Sequence, residues 1–178
     1  MSTTYEFDLV LSGLDVEADV GSLDAFEERV KDMTFASHDG TARAAVERRS
    51  SSMGEAIRSA IVDVEAIPGV QVLRVEPEDY VSQAEIAKRV GRSRASISQW
   101  VAGVRGPGGF PPPVFESGRI AVWRWAAVCT WLGNSGLRGA GNAHSALVIG
   151  AANALLEARR AISALDEKER SPLAELVA

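Results

Sequence analysis

Arg94, Ala95, Ser98 and Gln99 lie within six residues of one another. Their types suit one chemistry, the reading of base-pair edges. An arginine fork matches O6 and N7 of guanine, a glutamine amide pairs with adenine, and an alanine methyl meets the thymine methyl. Around them stand groups suited to phosphate oxygens: the hydroxyls of Ser93, Ser96 and Ser98, and the cations Lys88, Arg92, Arg105 and Arg119. Other chemistries find less. The two histidines, His38 and His144, share no metal-ligand spacing with Cys129 or with paired carboxylates. Gly106-Pro107-Gly108-Gly109 is glycine-rich but lacks the following Lys-Ser/Thr of a phosphate loop. No catalytic residue, metal or cofactor is expected.

Two short helices must hold these side chains. Ser82 and Glu85 form a capping box at the start of the first. Ile86 and Val90, with Ala84 and Ala87 between them, give it a narrow apolar face. Gly91 stands where a left-handed residue ends a helix, and Ser93 can cap the next. Ile97, Trp100 and Val101 are then the inward face of a second helix over 94–102, which turns Arg94, Ala95, Ser98 and Gln99 outward. Two short helices joined by a tight turn containing Gly make a helix-turn-helix.

The stretch AEIAKRVGRSRASISQWVAG resembles the helix-turn-helix of bacterial repressors. Its continuation, through Phe110, Pro111, Pro113, Gly118, Arg119, Trp123, Arg124, Trp131 and Leu132, resembles the winged-helix domains of the MerR and AlpA-excisionase type. The resemblance covers residues 80–132. It implies a two-stranded wing over 114–125 with Arg119 near its tip as a phosphate or minor-groove contact. It also implies dimerisation through C-terminal helices. The 1–135 arrangement loosely resembles actinobacterial helix-turn-helix proteins that carry a small acidic α/β domain.

Charge is divided along the chain. The net charge is −5 over 178 residues. Residues 1–80 hold seventeen acids and seven bases, whereas 81–135 hold seven bases against Glu85 and Glu116 alone. A basic middle beside an acidic domain is the asymmetry of a chain in which one module faces phosphate. The acidic surface has three readings: simple solubility, a partner or dimer surface, or rejection of the duplex. No apolar run is long enough to span a membrane. The N-terminus lacks a basic leader, and one cysteine allows no internal disulfide, so a cytoplasmic protein is expected. Cys129 reads as a small buried hydrophobe.

The acidic domain reads as strand 5–12, a helix capped by Ser22 with Leu23, Phe26 and Val30 inward, and strand 33–37. An Asp39-Gly40 hairpin, a strand over 42–48, a helix opened by Ser52 and a strand over 70–75 follow. That βαββαβ order predicts a ferredoxin-like split arrangement. Residues 76–80 read as a short linker. The glycines of 104–113 either bring backbone close to DNA or only turn the chain into the wing. After a linker at 134–142, a long helix over 143–165 sets Leu147, Ala151, Leu155, Ala158, Ile162 and Leu165 in a near-heptad seam. The seam can pack back on the chain or pair with a second copy. Ser171-Pro172 reads as the start of a last short helix with Leu173, Leu176 and Val177 along its edge.

The expected fold is therefore α+β: a ferredoxin-like domain (1–79), a winged helix-turn-helix (80–133) and C-terminal helices (134–178). The expected function is a sequence-specific, double-stranded DNA-binding regulator that acts as a homodimer. The rival is an adaptor or antitoxin-like protein that captures a protein partner through the acidic domain or the last helices. A third reading makes the acidic domain a small-molecule sensor coupled to DNA affinity.

Overall fold

Alternating side chains in the first half of the chain build a four-stranded antiparallel sheet. The computed structural model describes every residue except 1, 19, 20, 22, 25, 27–29, 78, 79, 119, 138–142, 177 and 178. The described residues form a mixed α+β structure with six helices and two antiparallel sheets. In the first sheet β1 (Thr3–Ser12), β2 (Met33–His38), β3 (Thr41–Ser50) and β4 (Gln71–Glu76) take the order β2-β3-β1-β4. Phe7 lies opposite Val46, and Leu9 opposite Ala44 and Val75. Met33 and Phe35 extend that buried face across β2. The period of two then sends Glu6, Asp8, Arg43, Glu47 and Arg74 to the other face. Asp39 and Gly40 join β2 to β3 with φ of 51° and 72°, the primed turn that suits strand twist.

Helix α1 (Met53–Glu65) starts where the Ser52 hydroxyl accepts the Glu55 N–H at 3.2 Å. It buries Met53, Ala56, Ile57, Ala60 and Val64, one helical stripe. The cap expected at Ser22 lies outside the described residues, as does part of the helix after it. Leu23 and Phe26 are buried, as that helix requires.

Arg48 is a buried charge in this unit, 8% exposed. Its guanidinium donates to Asp32 at 2.6 and 3.0 Å and to the Ser59 hydroxyl at 3.0 Å, and it meets Asp63 at 2.9 Å. The hydrogen bond from Arg48 outweighs burial and holds the Asp32 carboxyl below its ordinary value. A carboxyl depressed by folding contributes stability above its unfolded pKa and loses it as pH falls through the folded one. Urea midpoints are therefore expected to drop as pH is lowered from 5 towards 3. Asp32→Asn should flatten part of that drop, and an unchanged slope would exclude Asp32 as its source.

The chain divides into two units, Met1–Pro77 with Ala151–Ala178, and Glu78–Gly150. The second contains β5 (Tyr80–Ser82), α2 (Gln83–Val90), α3 (Arg94–Val101), β6 (Phe115–Ser117), β7 (Ile120–Arg124) and α4 (Trp125–Asn134). Its sheet has the order β5-β7-β6. The core gathers Val81, Ile86, Val90, Ile97, Trp123, Val128, Trp131 and Leu132. Tyr80, read from sequence as the end of a linker, is instead a strand residue opposite Arg124. The Arg124 guanidinium stacks 4.9 Å from its ring and donates to its hydroxyl at 3.0 Å. Cys129 is fully buried near Ala126 and Ala146.

The C-terminal segment is divided between the units. Helix α5 (Ala143–Ser163) buries Ala146, Ile149 and Leu156. Leu147 and Leu155 of the expected seam are 53% and 57% exposed, and Ala151 is exposed as well. In the first unit α5 closes the β4 edge with polar side chains. Asn153 accepts from the Val75 N–H at 2.7 Å and donates to the Val75 carbonyl at 2.9 Å. Arg160 donates to the Leu73 carbonyl at 2.6 Å, and Glu65 of α1 accepts from the Val72 N–H at 3.0 Å. A covered edge cannot template strand addition. Helix α6 (Glu167–Ala174) begins earlier than expected. Asp166 caps it by accepting the Glu169 N–H at 3.1 Å, and Pro172 lies inside it. Val177 lies outside the described residues.

Candidate nucleic-acid interface

The local code of α2 and α3 acts as its types dictate. The Ser82 hydroxyl accepts the Glu85 N–H at 3.3 Å, and the Glu85 carboxylate accepts the Ser82 N–H at 2.7 Å. The Ser82 hydroxyl also donates to that carboxylate at 2.8 Å, and the two bonds it accepts from Ser82 hold the Glu85 carboxyl below its ordinary value. Gly91 ends α2 with φ 64°, a left-handed conformation that costs a side-chain-bearing residue free energy. The Arg92 N–H then bonds the Ala87 carbonyl at 2.9 Å, which sets the turn into α3. Ile86, Ala87 and Val90 face the core, whereas Ala84, expected on that face, is exposed.

Ile97 is the one fully buried side chain of α3, with Trp100 and Val101 packed beside it. The opposite face therefore exposes Arg94, Ala95 and Ser98. Gln99 is half-buried, and its backbone carbonyl accepts from the Val104 and Arg105 N–H groups. Ser93 caps α3: its hydroxyl accepts the Ser96 N–H at 3.1 Å and lies 2.9 Å from the Ser96 hydroxyl. One of these hydroxyls donates to the other, so the pair retains one proton for an outside acceptor. Lys88, Arg92 and Arg105 are exposed. Arg119 lies outside the described residues.

The cations around α3 differ from most arginines of the first unit, although Lys31, Arg49 and Lys168 there are likewise in no ion pair among the described residues. Arg43, Arg48, Arg58, Arg74, Arg159 and Arg170 of the first are in ion pairs with carboxylates. Among the described residues, no carboxylate pairs with Lys88, Arg92, Arg94 or Arg105. Two further cations of the second unit are taken up by aromatic faces. Arg124 stacks on Tyr80, and the Arg89 guanidinium sits 5.1 Å from the Trp125 ring centroid. Sequence reading did not anticipate either stack, because each joins residues from different elements.

Trp123 and Trp131 are buried core residues, as expected for side chains that fill a small domain. They also organise the Gly- and Pro-rich loop after α3. Phe110 packs between them at centroid distances of 6.1 and 4.9 Å. The hairpin of β6 and β7 turns at Gly118, and it exposes Phe115 and Ile120. Among the described residues, no group of His, Cys, Asp and Glu could hold a metal ion, and no helix is long and apolar enough to cross a membrane. None of the family models, curated proteins or solved structures compared with the chain matches it.

Proposed function

We propose that this chain is a cytoplasmic, sequence-specific regulator that binds double-stranded DNA as a homodimer. The carrying observation is the exposed face of α3. Arg94, Ala95 and Ser98 stand outward on a capped helix rooted by Ile97, in a unit where Lys88, Arg92 and Arg105 are exposed and in no ion pair with a carboxylate among the described residues. We read the second unit as a winged helix-turn-helix, with β6 and β7 as the wing and α3 as the recognition helix. Arg94, Ala95 and Gln99 read bases; Lys88, Arg92, Ser93, Ser96, Ser98, Arg105 and Arg119 hold phosphates. The β2-β3-β1-β4 order supports a ferredoxin-like reading of the first unit, since a split βαββαβ chain takes that order.

A single short helix reads few bases, so two half-sites about one turn apart raise specificity. The outward row of Ala151 and Leu155 supports pairing through α5. The same row and the acidic first unit support the adaptor reading. Selection from a random duplex pool, with mass measured in the same buffer, separates them. An enriched inverted repeat and a dimeric mass are the expected result; no enrichment, with co-purification of a protein partner, favours the adaptor.

On the selected site, Arg94→Ala is expected to cost about 1–3 kcal/mol and relax preference at one base pair. Titrations against single-base variants check this. An equal loss on every sequence would move Arg94 from base reading to phosphate contact. Affinity is also expected to fall steeply with salt, as counterion release requires.

A further inference from the structure

We infer that the loop after α3 is a preformed phosphate grip, in which the Gly109 N–H and Arg105 contact the DNA backbone and Trp131 is the positioning residue. The inference rests on the DNA-binding reading and adds an element to it. Residues 105–109 are all exposed, yet the loop is fixed at successive points along its length. The Gln99 carbonyl of the recognition helix accepts the Val104 and Arg105 N–H groups at 3.0 and 3.3 Å. Gly106, at φ 95°, lies on the Trp100 ring: a Cβ there would come within 2.6 Å of Trp100 Cδ1. The Trp131 indole donates to the Gly108 carbonyl at 2.7 Å, and the Trp123 indole to the Pro111 carbonyl at 3.0 Å.

These anchors decide which way the backbone points. In a trans peptide the C=O of one residue and the N–H of the next lie in one plane and point in opposite directions. Trp131 is buried, so the Gly108 carbonyl that it holds faces the core. The Gly109 N–H on the same plane is thereby turned outward, and it has no acceptor among the described residues. Gly108 and Gly109 bring no side chain between that donor and a ligand. Arg105, four residues earlier on the same exposed loop, supplies the charge. A fixed amide donor and a cation on one exposed loop that follows α3 suit a phosphodiester oxygen. Because the loop is already held, little ordering is needed on binding.

The test uses the full chain and a duplex selected by the wild-type protein. Each phosphate is replaced singly by an uncharged methylphosphonate, and affinity is measured for wild type, Trp131→Phe and Arg105→Gln. Trp131→Phe keeps an aromatic ring in the core and removes the indole donor. Neutralising one or two adjacent phosphates is expected to weaken wild type about tenfold or more, as loss of a hydrogen bond to a charged group does. The same replacement should weaken each variant by less than half as much. A merely structural role for Trp131 would lower affinity equally at every phosphate. Gly106→Ala, which must push the loop off Trp100, should blunt the same phosphates and decides the matter if Trp131→Phe does not fold. Identical penalty profiles in wild type, Arg105→Gln and Gly106→Ala overturn the grip and leave DNA binding standing. Failure of the wild-type protein to enrich any duplex overturns both.

Discussion

Ile97→Ala is expected to destabilise the Glu78–Gly150 unit by about 2–5 kcal/mol, the range for truncating a buried aliphatic side chain. Ile97 is fully buried among Val81, Ile86, Trp123 and Leu132, and no other side chain of α3 is buried to that degree. An eight-residue helix has little stability alone, so α3 persists because its apolar stripe is docked. The cost is expected near the top of the range, since the surrounding indoles are held by hydrogen bonds and cannot readily collapse into the space. All four tryptophans, Trp100, Trp123, Trp125 and Trp131, lie in this unit. Urea unfolding followed by tryptophan fluorescence therefore reports on it selectively. Ser98→Ala, one position on and exposed, should stay within about 0.5 kcal/mol of wild type. A loss below about 1 kcal/mol for Ile97→Ala would mean that α3 is held by Trp100 and Val101 instead.

The selectivity of that measurement also matters for function. Exposed Arg94 can be changed without touching the core, so a loss of base preference in Arg94→Ala should come with an unchanged fluorescence transition. Ile97→Ala should lower DNA binding only in proportion to the fraction of this unit that is unfolded. The pair separates a residue that reads from one that supports the reader.

What was legible in the sequence is what short-range chemistry decides. Ser82 with Glu85, Gly91, Ser93 and Asp39-Gly40 act within four residues of themselves, and each does in the structure what its type requires. Tyr80 was not legible as a strand, because its three-residue strand exists only by pairing with β7, some forty residues on. The loop at 104–113 left two readings open in sequence. Its order depends on indole donors from Trp123 and Trp131, which lie outside the loop. On α5 a spacing of three and four residues allows more than one apolar stripe. The packed stripe includes Asn153 and Arg160, which hydropathy assigns to solvent but which serve the open backbone of β4. Of the candidate interface, exposed Arg94, Ala95 and Ser98 followed from the periodicity of α3, whereas Gln99, expected outward with them, is half-buried. The lack of a carboxylate pair at Lys88, Arg92, Arg94 and Arg105 among the described residues did not follow, since pairing is a property of three dimensions.

Arg48 makes the same point as a stability experiment. Its position on β3 continues the inward alternation of Ala42, Ala44 and Val46, so the pleat itself brings a guanidinium inside. There it joins Asp32, ahead of β2, to Ser59 and Asp63 on α1. Removing one partner of a fully buried ion pair costs about 3–5 kcal/mol. The Asp32 and Asp63 side chains are 32% and 41% exposed, so water recovers part of their solvation. Arg48→Ala is therefore expected to cost about 2–3 kcal/mol, after that discount for exposure. Far-ultraviolet circular dichroism in urea should show the loss, with the tryptophan transition as the internal comparison. Arg48→Met retains most of the apolar stem and removes the charge. If it costs as much as Arg48→Ala, the ionic network carries the stability; if it restores most of the loss, the packed stem does, and the carboxylates are content in water.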